Sequence, residues 1–254
     1  MKKWITCIIM AVMMAAMIFM GTGNNVFADD EVTYDSNMQT KKFDVNVKVG
    51  KDGSYTVTEN IKVKFVNPRH GIYRYIPYKG NVVTIDKNGG QKKLLYYADF
   101  DLLKNDSNTD LQEDSDGNSE VLQFGSEDST VNEGNYKFMY QLTPQYQGDT
   151  FDYLYYNIFP TLWRNNIPKG STFMIHFPKK TDLKSVNFFY GRYGESKNAK
   201  DVLTLKYDEK NVQITGTLKK SLPFKNGLTC YSDLGDGYFT ERNEIGAGGF
   251  IFVV

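Results

Sequence analysis

The chain has 254 residues with 30 basic and 30 acidic side chains, so its formal net charge is zero. That balance argues against nucleic acid or a strongly anionic membrane surface as partner. Two cysteines, Cys7 and Cys230, are too few for a disulfide framework, whereas 18 tyrosines and 17 phenylalanines supply a core from residue types that favour strands.

Residues 1–28 read as a secretory signal peptide, with Lys2 and Lys3 ahead of the uncharged run Trp4–Met20, then Gly21, Gly23 and the small-residue ending Val26-Phe27-Ala28. Cleavage after Ala28 leaves 28 basic residues against 30 acidic, and Cys230 as the lone cysteine. An exported domain without an internal disulfide must be held by its hydrophobic core. Residues 29–39 are expected to be a flexible lead-in, and 40–240 one ectodomain.

Helical periodicity is almost missing from the ectodomain. "KKFDVNVKV" alternates Phe43, Val45, Val47 and Val49 with polar residues, the period of a half-buried strand. "GKDGS" then supplies an Asp52-Gly53 hairpin turn, and "SYTVTENIKVKFV" returns through Tyr55, Val57, Ile61, Val63 and Phe65. Further strands are predicted at "NVVTI", "KLLYYADF", "SEVLQFG", "NYKFMYQL", "TFDYLYYNIF", "STFMIHF", "KSVNFFYG", "DVLTLKY", "NVQITGTL" and "GLTCYSD", with Gly, Asn, Asp or Pro in nearly every gap. The spacing suits an all-β, two-sheet antiparallel sandwich with long hairpins. The polar stretch 104–120 is expected to be a solvated loop or hairpin end. Both faces of "TFDYLYYNIF" are apolar-rich, which places that strand centrally with its tyrosines mostly in the core.

Two charges interrupt the alternation. Glu59 falls on the apolar face between Val57 and Ile61, and Arg74 falls between Ile72 and Ile76 in "GIYRYIP". A buried charge is costly unless paired, and an arginine fork matches a carboxylate. Glu59 and Arg74 are therefore expected to meet as a structural ion pair inside the sandwich; the competing reading is an Arg74 that recognises an anionic ligand.

These segments resemble the opening signature of a family of bacterial predicted membrane proteins, domain of unknown function 2207. Asp52, Gly53, Ser54, Val57, Glu59, Gly71, Ile72, Arg74, Ile76 and Pro77 match it one by one. The block around Tyr136, Tyr140, Asp152, Tyr156, Asn157, Trp163, Ile167, Phe177 and Pro178 resembles the family's middle, and "LPFKNGLTCYSDLGDGYF" its closing segment. The resemblance implies an extracytoplasmic β-domain normally followed by transmembrane helices, and supplies no catalytic residues. The apolar, Gly-rich tail 241–254 is too short to cross a bilayer and is expected to be the start of a truncated span. A secreted form is the alternative.

Catalytic chemistry finds little footing. The two histidines, His70 and His176, read as a turn residue and a residue on the polar side of its strand, and Cys230 as a strand residue. Asp99, Asp101, Asp152 and Glu195 are candidates for the paired carboxylates of a glycoside hydrolase. Asp110, Glu113, Asp114, Asp116, Gly117 and Glu120 crowd one acidic loop, but Gln112 and Gln123 fall where an EF-hand needs its first and twelfth ligands. No metal or cofactor is expected. The functional expectation is a non-enzymatic binding module at the cell envelope, with an envelope protein or glycan as partner and a membrane link beyond its C-terminal end. The alternative is an envelope glycan hydrolase using paired carboxylates.

Overall fold

The computed structural model describes residues 32–85, 91–145 and 152–242, with backbone alone for 81–85 and 91–95. The expected signal peptide and nearly all of the expected tail lie outside the described residues.

Fifteen strands, numbered in chain order, form three sheets among the described residues. The largest has eight strands in the order β13 (Leu203–Asp208), β14 (Gln213–Leu218), β10 (Thr172–His176), β1 (Met38–Val49), β2 (Tyr55–Arg69), β8 (Val131–Pro144), β5 (Gln91–Asn105) and β4 (Lys79–Ile85). A four-stranded sheet runs β12 (Lys197–Asn198), β11 (Asn187–Gly191), β15 (Gly227–Gly235) and β9 (Asp152–Phe159), and a three-stranded sheet runs β3 (Gly71–Pro77), β7 (Ser119–Gly125) and β6 (Leu111–Ser115). The only helical pieces described are two single 3-10 turns, Leu183–Ser185 and Ala199–Asp201.

The predicted alternation sets the layering. In β1, β2 and β8 the residues Phe43, Ile61 and Tyr136 lie opposite one another, as do Val45, Glu59 and Phe138, and Val47, Val57 and Tyr140. All nine are buried, whereas the intervening Asn46, Lys48, Lys62, Lys64 and Lys137 stand in solvent. One face of the large sheet is thus apolar and the other wet, as strand period 2 requires.

Both small sheets cover the same apolar face. Phe43 on β1 meets Phe159 on β9 edge-on at 5.7 Å, and Phe173 on β10 meets Phe188 on β11 at 5.3 Å. Alongside, Phe124 on β7 meets Phe138 on β8 at 4.8 Å. The fold is all-β and sandwich-like, as the alternation predicts, but two sheets rather than one close the core. One strand pair, β1–β10, is parallel, because the chain returns from the four-stranded layer before β10 joins the sheet.

One detail departs from the expected layout and two add to it. β9 is the edge strand of its sheet, not a central one: Leu154, Tyr156 and Ile158 face the core, while Tyr155 and Asn157 are half-buried on the outer side. Its apolar character on both faces has a local cause, because its edge abuts the large sheet, where the Tyr155 N–H donates to the Tyr55 hydroxyl at 3.4 Å. The polar stretch 104–120 includes strand β6, and its Asp116-Gly117 turn joins β6 to β7 as a hairpin end. There the Asp116 carboxylate accepts the Asn118 and Ser119 N–H groups, and Gly117 takes φ 86°. Finally, β1 shifts register between Thr40 and Lys42, and the loop after β9 satisfies the disturbed backbone. The Asn165 amide accepts from Thr40 N and donates to the Met38 carbonyl, and the Ser171 hydroxyl accepts from Phe43 N.

Candidate functional site

The seam where the three sheets meet is occupied by polar side chains. Glu59 on β2 is 0% exposed and Arg74 on β3 is 3% exposed. The Arg74 Nε donates to Glu59 Oε2 and Nη2 to Oε1, each at 2.8 Å, the two-pronged geometry of a guanidinium on a carboxylate. A third guanidinium N–H donates to the Tyr75 carbonyl, and the guanidinium carbon sits 5.9 Å from the Phe43 ring centre. Tyr140 on β8 donates to Glu59 Oε1 at 2.8 Å and lies 2.8 Å from the hydroxyl of Tyr156 on β9. Tyr140 has one proton and gives it to the carboxylate, so Tyr156 must be the donor to Tyr140. The chain of bonds therefore runs from the four-stranded sheet through the large sheet to the three-stranded sheet.

Electrostatics follow from that enclosure. Burial alone would lower the Arg74 guanidinium, but Glu59 reverses this and holds it above its ordinary value. Burial, and next the Glu59 carboxylate, push the Tyr140 and Tyr156 phenols up. The two phenols and the guanidinium hold their protons well above neutrality, and every hydrogen bond of the cluster is made to an internal partner.

The other motif residues are architectural as well. Asp52 accepts from Ser54 N and Oγ around Gly53, which takes φ 85° in the β1–β2 turn. Gly71 (φ 155°) opposes Gly125 across the β3–β7 ladder so closely that a Cβ on Gly71 would lie 1.7 Å from the Phe124 carbonyl oxygen. Ile72 and Ile76 are buried beside Arg74, and Pro77 closes the same strand. Trp163 packs edge-on against Phe43 at 5.2 Å and donates its indole N–H to Thr40 Oγ1 at 2.8 Å.

The candidate carboxylates do not converge. Asp99 and Asp101 stand exposed on β5 opposite Thr143 and Gln141, on the wet face of the large sheet. Asp152 is buried at the start of β9, where it accepts from Phe239 N and Arg242 Nη1, both at 2.9 Å. Glu195 lies in the β11–β12 turn, held by Lys197. His70 is exposed, with Nδ1 2.9 Å from the Ser126 and Ser129 carbonyl oxygens, and His176 is half-buried opposite Lys48 and Gln213. The Cys230 thiol is fully buried against the Tyr156 carbonyl, and burial pushes it up to about 12. The acidic hairpin brings Glu113 and Asp114 close enough to Glu120 to reinforce the upward shift that desolvation gives its carboxyl. Among the described residues no group of three or more such side chains is arranged to hold a metal.

A feature that sequence pattern does not disclose lies at one end of the molecule. A shallow depression is lined by Asp35, Met38, Arg69, Ile72, Tyr73, Trp163 and Arg164. Arg69 pairs with Asp35, while Arg164 donates to the Thr33 carbonyl and hydroxyl at 3.3 and 3.2 Å. These residues come from the lead-in to β1, the β2–β3 corner and the loop after β9, three segments remote in sequence. The described C-terminal residues lie at the other end, where Thr240 N donates to the Lys51 carbonyl in the β1–β2 turn.

Comparison with solved structures finds distant likeness. The M1 zinc metallopeptidase from Deinococcus radiodurans is 12% identical, with 78% of this chain aligned to 43% of that one at a TM-score of 0.40. Leukotriene A4 hydrolase from Saccharomyces cerevisiae is 11% identical, with 77% of this chain aligned to 29% of that one at a TM-score of 0.37. The chain thus spans less than half the length of either. Among curated proteins no sequence relative matches. Among the described residues no helix is long and apolar enough to cross a membrane. A family match does cover residues 39–222, the stretch that contains the enclosed Glu59–Arg74 pair, the Gly71 contact and Trp163: the chain belongs to the family described as "Predicted membrane protein (DUF2207) N-terminal domain".

Proposed function

We propose that this chain is exported by its first 28 residues, and that residues 40–240 form an extracytoplasmic, non-enzymatic interaction module of a membrane protein at the cell envelope. The observation that carries the reading is the enclosure of the motif charges. Glu59, Arg74 and Asp152 are all buried and bonded internally, so the residues that mark the family build the scaffold and leave recognition to the surface. The family's description as a membrane protein supports a tether beyond Arg242, on the side of the β1–β2 turn. Strand β1 is twelve residues long, so that turn lies about 36–40 Å from the opposite end of the domain. The depression at Arg69 and Arg164 would then face away from the membrane.

The reading is tested by incubating the purified chain with isolated cell envelopes of the source cells. It predicts co-sedimentation with the envelope and no release of reducing ends. Saccharide release above that of heat-killed protein would favour the hydrolase alternative, and a chain that stays entirely in the supernatant would sink the interaction reading.

A further inference from the structure

We propose that the depression at the β1-entry end is a binding site for an anionic saccharide, one bearing carboxylate or phosphate groups. The inference rests on the interaction reading and names its ligand class. Its first support is charge. The depression holds two guanidinium groups, Arg69 and Arg164, and one carboxylate, Asp35, which is already paired with Arg69. The Arg164 guanidinium is bonded to neutral oxygens of Thr33 alone, so among the described residues it makes no ion pair of its own. Two of its five N–H donors are used, and the rest form the planar fork that suits a carboxylate or phosphate.

The second support is the surface that runs outward from the depression. Tyr73 lines it, is 41% exposed, and has no hydrogen-bond partner among the described residues. The register of the three-stranded sheet puts Tyr73 in one cross-strand row with Gln123 and Gln112, and Tyr75 in the next row with Val121 and Asp114. All six are at least partly exposed. The two tyrosines, two positions apart on one strand, lie about 6.6–7 Å apart along it. An aromatic ring with a free hydroxyl stacks on the apolar face of a sugar and bonds its edge, and the neighbouring amides supply donors and acceptors for hydroxyl groups. A strip of that chemistry ending at an arginine without an ion pair fits a saccharide chain whose charged group meets Arg164 at the rim of the shallow depression, on the side of Tyr73 and the two glutamines and away from the Asp114 carboxylate. A neutral glycan would leave the Arg164 fork unused, and a phosphopeptide would not use the tyrosine rows.

The probe is hexagalacturonate, with neutral chitohexaose and inorganic phosphate alongside, titrated calorimetrically into the purified chain at about 50 and about 500 mM salt. Hexagalacturonate is expected to bind at low salt and to weaken at least tenfold at high salt. Arg164→Gln and Tyr73→Ala should each weaken it at least tenfold at unchanged melting temperature. Tyr73 is exposed, so its variant keeps the test open if Arg164→Gln fails to fold. Phosphate binding that Arg164→Gln abolishes while Tyr73→Ala does not would reduce the site to a simple anion pocket and overturn the saccharide claim. So would equal binding of chitohexaose, or no hexagalacturonate binding. The same variants in the envelope assay separate the two levels. Variants that sediment like the unaltered chain overturn this site and leave the interaction reading standing, whereas an unaltered chain that never sediments removes the reading itself.

Discussion

At the scale of single residues, the Glu59–Arg74 pair is held together by its surroundings more than by its own attraction. Two charges taken from water each lose several kcal/mol of solvation, and the attraction between them roughly repays it only where every remaining donor and acceptor is used. Here the fork is two-pronged, a third guanidinium N–H reaches the Tyr75 carbonyl, and Tyr140 completes the carboxylate. Removing one partner strands the other. Glu59→Gln should therefore cost about 3–5 kcal/mol of folding free energy, and Arg74→Met a similar amount. The double variant Glu59→Gln/Arg74→Met should cost clearly less than the sum, because neither charge is then left unpaired. Urea denaturation of the three variants checks this, and strict additivity would mean that the pair is not energetically coupled.

At the scale of elements, the legible and the illegible parts of the fold have separate physical causes. β1, β2 and their Asp52-Gly53 turn are plain in the sequence because one face of each strand is wet and one is dry, so period 2 survives. Glu59 and Arg74 are visible for the same reason, as charges on an apolar row. Tyr140 and Tyr156 are not, because a tyrosine ring obeys the apolar pattern whether or not its hydroxyl has a task inside. The division of the covering layer into two sheets, the parallel β1–β10 pair and the Arg69–Tyr73–Arg164 depression depend on contacts between segments remote in sequence. No local period encodes them. Gly71 shows how an element can rest on one atom's absence. Strands β3 and β7 touch at Gly71 and Gly125, and a methyl group on either would run into a carbonyl oxygen, at 1.7 Å from Phe124 O or 1.9 Å from His70 O. Gly71→Ala must push the strands apart or unpair them, so its cost should exceed the roughly 1 kcal/mol of an ordinary strained glycine replacement. Because β3 carries Arg74, the loss should spread to the seam. Hydrogen exchange should show faster exchange at the β3–β7 amides, with the β1–β2 ladder least affected; exchange unchanged at β3 and β7 would refute the contact's importance.

At the scale of the whole molecule, the interior is sealed by acids that are neutral in their protonated form. Burial raises the Cys230 thiol and the Tyr155 phenol from ordinary values of 9.0 and 10.0 to about 12 each. Burial is also the main cause of the upward shifts at Tyr55, Tyr140 and Tyr156. The native state keeps these protons where the unfolded chain has already released them, so above pH 9 the unfolded state binds fewer protons and stability falls as pH rises. The contribution is fully present below the unfolded values. Between pH 9 and 10 Cys230 draws on it most per group, approaching about 1.4 kcal/mol per pH unit, and the buried tyrosines begin to add their share. Above pH 10 the tyrosines add to the slope in full, and Cys230 and Tyr155 stop contributing once the pH passes about 12. These groups sit on different sheets: Tyr55 and Tyr140 on the large one, Tyr155, Tyr156 and Cys230 on the four-stranded one. Ionising them therefore attacks the interface between layers, and the buried tyrosines' share of the tyrosinate absorbance should rise in one step together with the loss of sheet signal. Thermal melts should be flat from about pH 6 to 8, decline gently above 9 and steeply above 10, with the decline between 9 and 10 made shallower in Cys230→Ala. Native tyrosines that all titrate near pH 10 before unfolding would show that the seam between the sheets is open to water.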